Sequence, residues 1–424
     1  FRKYGYQPIE TPSFELTSTL MGKYGEEGDR LIFKILNSGE KLKKADVQAL
    51  ENNKLPIFAN SISEKALRYD LTVPFARFVV QHQNELSFPF KRFQIQPVWR
   101  SDRPQHGRYQ EFTQCDVDVV GSDSLLYEVE FIQIFDEVLS CLKLPGFSIK
   151  MNNRKILSGI AEISGAGDYL VTIVTAIDKL DKIGEKGVLD ELKQKLVPDS
   201  AINLLKPLLS FNGTNEEKMQ LMEEFLEDSE IGMEGIQELQ KVLVHVDKLG
   251  LQRGRLEFDI TLARGLNYYT GAIFEVAADD VKMGSICGGG RYDDLTAQFG
   301  LKDVSGIGIS FGADRIYDVL NELDLFPSST ESNISYLLLN FGGEDMKSSL
   351  ELALNIRAKG VDCELYPSKA KIQKQFKYAD SRNARFVIMI GEDERKSDSI
   401  KLKNMESGTQ ETISRKDFLD RLSN

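Results

Sequence analysis

RFQIQPVW (92–99) and EFTQCDVDVV (111–120), with the loop SDRPQHGRY between them, are the key to the architecture of this 424-residue chain. Both flanks are strand-forming, and the second alternates Cys115, Val117 and Val119 against Asp116 and Asp118. A period of two marks a strand with one apolar and one polar face. The loop is polar and basic, and Pro104 and Gly107 break any regular element within it. Strands joined this way pair antiparallel. After Gly121 a helix is expected from about Ser124 to Leu142, apolar at Leu125, Leu126, Val129, Phe131, Ile132, Phe135 and Val138.

From roughly 166 to 250 the chain is helical in period and rich in Glu and Lys, as an inserted module would be. Strand character returns at 255–260 and 272–288, around the loop ARGLNYYTGA, and SGIGISF (305–311) runs into a helix, GADRIYDVLNEL. The segment DLFPSSTESN (324–333) has no apolar period and reads as a linker. Beyond it ISYLLLN, a helix over 344–359, VDCELY, a helix over 369–383 and RFVIMIG alternate as β-α-β-α-β. That pattern implies a small parallel or mixed sheet covered by helices. The first domain is therefore mainly antiparallel and the last is wound α/β. No internal repeat or low-complexity tract occurs.

Hydrophobic residues at 41% and charged residues at 28% describe a soluble globular protein, and 424 residues suffice for two or three domains. No window approaches 18 uninterrupted apolar residues, and no signal peptide is visible, so a cytoplasmic protein with no membrane partner is expected. The chain starts at Phe1, inside FRKYGY, which reads as the end of a helix, so an N-terminal segment is expected to be missing. Cys115, Cys141, Cys287 and Cys363 are scattered and read as reduced thiols. His82, His106 and His245 lie outside ligand spacing of one another, so neither a metal site nor a Ser-His-Asp triad is expected.

The formal charge of −12 argues against indiscriminate nucleic-acid binding, yet local patches decide. Residues 91–110 carry five Lys or Arg against one Asp, and 367–385 carry six against one. Either island is compatible with plain solvated surface; together they suit an anionic ligand touching two separated places. GxxxxGK[ST] and a helix-opening GxGxxG are absent, and the glycines of GIGISFG and GGGR are read as turn or close-packing residues. What stands out is a set of arginines in strand ends and loops: Arg100, Arg103, Arg108, Arg264, Arg291 and Arg315. A guanidinium meets phosphate or carboxylate with two parallel hydrogen bonds and stays charged when desolvated. Asp70, Thr72, Gln114, Asp118, Tyr268 and Tyr269 fall in neighbouring motifs, and with the arginines they would build a pocket for a polyphosphate and an ammonium.

PVWRSDRPQHGRYQEF (97–112) resembles motif 2 of class II aminoacyl-tRNA synthetases, and GIGISFGADRI (306–316) resembles motif 3. YGYQPIETPSFE (4–15) looks like the end of motif 1, with Pro12 as its dimer-interface proline. ARGLNYYTGAIFEV (263–276) and CGGGRYDDL (287–295) are similar to histidine-specific signatures, while LRYDLTVPFARF (67–78) and YQEFTQCDVDVVG (109–121) resemble the eukaryotic-type branch of the histidyl-tRNA synthetase family. The resemblance covers nearly the whole chain. It implies an ATP-binding set of Arg100, Asp102, Arg108, Phe112 and Arg315, with Phe112 and Arg315 sandwiching adenine. It implies histidine binding by Asp70, Leu71, Thr72, Arg100, Gln114, Asp118, Arg264, Tyr268 and Tyr269, with Arg100 and Arg264 catalytic at the α-phosphate. Lys369, Lys371, Lys374 and Lys377 would meet tRNA. Magnesium would arrive with ATP; no prosthetic group and no protein-held metal are expected. Two positions depart from the pattern: Asn267 stands where Asp is usual, and Asp70 where the bacterial-type branch has Glu.

The expected fold is α+β. Its antiparallel class II sheet is flanked by helices and lies in 1–165 and 251–323, with a helical insertion at 166–250. A linker at 324–333 then leads to a C-terminal α/β anticodon-binding domain at 334–424. The expected activity is that of a homodimeric histidine–tRNA ligase in protein biosynthesis, with L-histidine, ATP and tRNA(His) as substrates. The main alternative is a non-catalytic paralogue regulating an ATP-phosphoribosyltransferase; such paralogues lack the C-terminal domain and have degraded arginine blocks. A synthetase of another specificity is the other.

Overall fold

The computed structural model describes residues 1–263, 268–327 and 334–422, and its contacts divide into two compact units, Phe1–Leu325 and Phe326–Asn424. The larger unit is built on eight strands: β1 (Gln7–Pro8), β2 (Phe90–Trp99), β3 (Glu111–Val120), β4 (Phe147–Asn153), β5 (Gly254–Phe258), β6 (Ala272–Ala278), β7 (Cys287–Arg291) and β8 (Gly306–Gly312). Their spatial order is β1-β2-β3-β8-β7-β6-β4-β5. β2 and β3 pair antiparallel along their whole length, from Phe90 opposite Val120 to Trp99 opposite Glu111. The strand alternation over 111–120 thus has its expected cause. The sheet is antiparallel except at its two edges, where β1 runs parallel to β2 and β5 parallel to β4.

One face of this sheet is apolar and faces helices. Helix α1 (Thr72–Gln81) lies on the other face, its buried Phe75 ring 4.3 Å from the Arg92 guanidinium, whereas helix α2 (Leu126–Cys141) covers the apolar face, burying Phe131 and Phe135 completely, with the Phe135 ring 5.3 Å from Phe311 of β8. Removing that much aromatic surface from water is the main stabilising term here, each side chain contributing roughly 1.5–3 kcal/mol. Helix α3 (Ala313–Glu322) continues β8, and Asp314 in its first turn accepts the Thr113 N–H at 2.7 Å, joining helix to β3. Between β4 and β5 the chain is helical, from Arg154–Ile163 to Glu230–Leu249. Thr214 and Glu217 form a reciprocal cap there, satisfying two N–H groups that the first turn of Asn215–Phe225 leaves open.

The smaller unit has strands β9 (Tyr336–Leu338), β10 (Cys363–Leu365), β11 (Phe386–Met389), β12 (Ser399–Asn404) and β13 (Gln410–Ser414) in the order β10-β9-β11-β12-β13. The first three are parallel, and β12 and β13 add an antiparallel hairpin. Helices Gly343–Ala358, Ile372–Ser381 and Arg415–Arg421 cross between or follow them. A fully buried Gln375 locks Ile372–Ser381 to the end of β9: it accepts the Asn340 N–H at 2.8 Å and donates to the Asn340 carbonyl at 2.9 Å.

Candidate active site

The polar face of the large sheet is ordered by its register. Gln94, Asp116, Ser310, Gly288 and Glu275 stand in one row across five strands, and Arg92, Asp118, Gly308, Gly290 and Ile273 form the next. Gln114 lies one pleat further along, opposite Gly312. The glycines leave room for their neighbours. A Cβ on Gly308 would stand 1.9 Å from Asp118 Oδ1, and one on Gly290 would stand 2.7 Å from the Tyr269 ring. No other residue fits at either place, so the glycines of GIGISFG and GGGR are close-packing residues in strands and form no nucleotide loop.

Over this floor lies a cavity of about 690 Å³, and Arg100, Asp102, Arg108, Phe112, Gln114 and Arg315 all line it. Arg100 is held by its Nε donating to the Tyr69 carbonyl at 3.2 Å, and its guanidinium lies 4.2 Å from the Tyr69 ring centre and 5.0 Å from that of Phe112. Arg315 donates to the carbonyls of Gly107 and Ser285, each at 2.6 Å, tying the β2–β3 loop to the approach to β7. Arg108 reaches Asp102 at 3.5 Å with its side chain 40% exposed, a weak pairing that an incoming anion can displace. Arg103 is exposed on the same loop.

Deeper in, the expected acids hold the base of the site and are absent from the cavity wall. Asp70 Oδ1 accepts from the Tyr24 hydroxyl at 2.9 Å and the Val73 N–H at 3.1 Å, capping α1, and Oδ2 accepts from Tyr268 at 3.1 Å. Asp118 Oδ1 accepts from Tyr292 at 2.6 Å, and Oδ2 lies 2.7 Å from Arg92. Burial raises the pKa of both carboxyls; Arg92 and Tyr292 oppose this at Asp118, and the Val73 N–H, Tyr24 and Arg100 oppose it at Asp70. Leu71 contributes its carbonyl to Arg92 at 3.4 Å, and Thr72 opens α1. The Tyr268 and Tyr269 rings are 4.8 Å apart beside Gly290. Arg264 and Asn267 lie outside the described residues.

Arg291 differs from expectation. Its guanidinium is buried against Glu128, with Nε to Oε1 at 2.7 Å and Nη2 to Oε2 at 2.8 Å, and it also donates to Ser305. It therefore joins β7 to α2 and does not belong to the pocket. Residues that sequence reasoning missed are Arg92, Asp116 and Ser310. For Asp116 the signal was present, since it shares the phase of Gln114 and Asp118; Arg92 lies in the first basic island without any local mark of burial. Burial pushes the Asp116 carboxyl up to about 7, with Arg92 pulling it down and Asp118 pushing it up.

A second cavity, of about 620 Å³, lies among Asn215–Phe225, Glu230–Leu249 and β5. Its lining carries Glu216, Glu223 and Asp247 but no arginine, so it does not suit a polyphosphate. In the smaller unit, Lys369, Lys371, Lys374 and Lys377 are all exposed, the last two on the outer side of Ile372–Ser381.

Two family models match the chain: "Histidyl-tRNA synthetase" over residues 55–316 and "Anticodon binding domain" over 337–424. A histidine–tRNA ligase of Christiangramia forsetii is 57% identical over 414 residues, 97% of this chain and 91% of that protein. One from Flavobacterium johnsoniae is 54% identical over 97% of this chain and 91% of its own length. Among solved structures, histidyl-tRNA synthetase from Nostoc sp. PCC 7120 superposes with a TM-score of 0.79 at 29% identity, covering 99% of this chain and 92% of that one.

Proposed function

The chain belongs to the histidyl-tRNA synthetase family, and from that premise we propose how its own residues activate histidine with ATP and charge tRNA. The observation that carries the reading is the meeting of Arg100, Arg108 and Arg315 on one cavity with Phe112 and Gln114. Attack of the histidine carboxylate on the α-phosphorus needs no protein nucleophile. It needs the two reactants aligned and the charge on the non-bridging oxygens compensated. Arg100, stacked against Tyr69, takes the α-phosphate and the carboxylate, and Arg264 faces the same phosphate. Arg108 takes the outer phosphates, and adenine lies between Phe112 and Arg315. Magnesium enters on the nucleotide, and the cavity wall offers the hard oxygen donors it accepts at Asp102 and Glu275.

Asp70, Leu71, Thr72, Gln114, Asp118, Tyr268 and Tyr269 form the histidine end. The lysines at 369, 371, 374 and 377 contact tRNA in the second unit. The retained C-terminal domain and arginines support a ligase over a regulatory paralogue. A homodimer working in the cytoplasm completes the proposal. Phe14 and Leu16, 45% and 55% exposed beside Pro12, supply an apolar edge for a two-fold contact. Among the described residues no helix is long and apolar enough to cross a membrane.

Pyrophosphate exchange measured across the amino acids tests the reaction. Histidine alone should support it; equal exchange with another amino acid would overturn the specificity. Sedimentation equilibrium at micromolar concentration should give twice the chain mass.

A further inference from the structure

Strand β4 lies between β5 and β6 in the sheet, so the chain from Phe258 to Ala272 must cross the end of β4 to pass from one to the other. That crossing carries Tyr268 and Tyr269. Its exit is held by backbone. The Arg154 N–H donates to the Gly271 carbonyl at 2.9 Å, one step beyond the β4–β6 pair of Asn153 and Ala272, and the Thr270 N–H donates to the Arg291 carbonyl at 2.8 Å. The entry lies past the last rung between β4 and β5, the Asp259 N–H donating to the Met151 carbonyl at 3.0 Å. Ile260, Leu262 and Ala263 are buried there, and their carbonyls take donors from side chains. Asn152 Nδ2 donates to Ile260 at 3.1 Å and to Leu262 at 2.9 Å, and Arg154 Nη1 donates to Ala263 at 3.2 Å. A buried carbonyl without a donor is costly, so these two side chains decide where the crossing starts. Arg154 grips both ends, with its guanidinium at Ala263 and its main-chain N–H at Gly271.

We propose that Arg154 is a positioning residue for histidine: by fixing Ala263 relative to Gly271 it sets the span of the crossing, and with it the place where Tyr268 meets Asp70. The inference rests on the proposed histidine end to which Tyr268 and Tyr269 belong. The Tyr268 hydroxyl reaches Asp70 Oδ2 at 3.1 Å, and the Tyr269 ring has its seat beside Gly290. Both seats are set by the sheet, so a shift at the mouth of the crossing moves the rings relative to them. Arg154 does not line the 690 Å³ cavity, and it acts through the backbone it holds. A charged donor holds a carbonyl more strongly than a neutral one, and a half-buried guanidinium keeps its charge. A residue needed only for packing would be replaceable here by an apolar side chain of similar length.

Pyrophosphate exchange by the full chain tests this, with KM for histidine and for ATP measured separately in wild type, Arg154→Met, Tyr268→Phe and the double variant. Arg154→Met keeps the stem and the main-chain N–H and loses the guanidinium. It should raise the histidine KM about tenfold, the scale of one hydrogen bond from a charged group. The ATP KM and the melting temperature should stay close to wild type. In the Tyr268→Phe background the same substitution should have a clearly smaller effect, because both changes act on one contact. An unchanged histidine KM would overturn the proposal, and so would equal rises for histidine and ATP. Additive effects in the double variant, or a Met variant too unstable to assay, would make Arg154 a plain structural residue and overturn it as well. Failure of the wild-type protein to exchange with histidine would instead remove the functional reading beneath it.

Discussion

Arg291 and Glu128 lie 163 residues apart in the chain and meet as a two-pronged ion pair, 2.7 and 2.8 Å, with both side chains buried. Breaking one partner of such a pair leaves the other charge uncompensated, a loss of roughly 3–5 kcal/mol. Glu128→Ala should therefore lower the urea midpoint of the larger unit sharply. Glu128→Gln, which keeps an acceptor, should be intermediate. Unfolding curves indistinguishable from wild type would show that the pair adds nothing to stability.

Arg264→Ala should slow adenylate formation ~10²–10³-fold while leaving histidine affinity close to wild type. An arginine acting on charge that develops in the transition state affects rate before it affects ground-state binding. Single-turnover ATP consumption separates the two quantities. An unchanged rate would remove Arg264 from the chemistry.

The two basic islands should separate by assay. Neutralising Lys374 and Lys377 should raise KM for tRNA and flatten its salt dependence by ~1–2 log-slope units, because fewer counterions are released. Pyrophosphate exchange, which needs no tRNA, should barely change. Arg108→Ala should do the reverse and damage exchange with tRNA absent. Loss of exchange in the lysine variant would place those lysines nearer the chemistry than proposed.

Asp116 gives stability a pH dependence whose sign is fixed. Its carboxyl titrates at about 7 in the fold, against roughly 3.9 in an unfolded chain. Between those values the folded state binds more protons, so stability is full below the lower value and declines until the higher one is passed. Asp116→Asn has no charge to desolvate. The melting temperature of the variant minus that of wild type should grow more positive from pH 5 to pH 7 and level off by pH 8. A difference that stays flat across the range would mean that this carboxyl does not titrate there.

The architecture was legible where the pattern is local. The alternation in 111–120 and the loop at 101–109 announce an antiparallel pair, and β2 and β3 form it. The β-α-β-α-β run likewise leads to the parallel core of the smaller unit, although the β12–β13 hairpin that extends it was not foreseen. Arg100, Arg108 and Arg315 were marked by motif, and they do share a cavity. Arg291 carried the same kind of mark, yet its partner comes from a distant helix, which no window of sequence reports. Asp116 was passed over for the opposite reason. A carboxylate in a half-polar strand looks like solvated surface until a neighbouring strand covers it.

The glycines at 290 and 308 let the Tyr269 ring and the Asp118 carboxylate lie directly on the sheet backbone beneath the site, and that limits how the site can be re-engineered. Depth cannot be adjusted in small steps, because even a methyl group at Gly308 or Gly290 would collide with Asp118 or with the Tyr269 ring. Width can be adjusted, since Phe112 and Met283 stand on the walls with side chains that can be shortened or exchanged. Variants selected to accept bulkier histidine analogues should therefore accumulate at the walls, while the glycine positions stay unchanged.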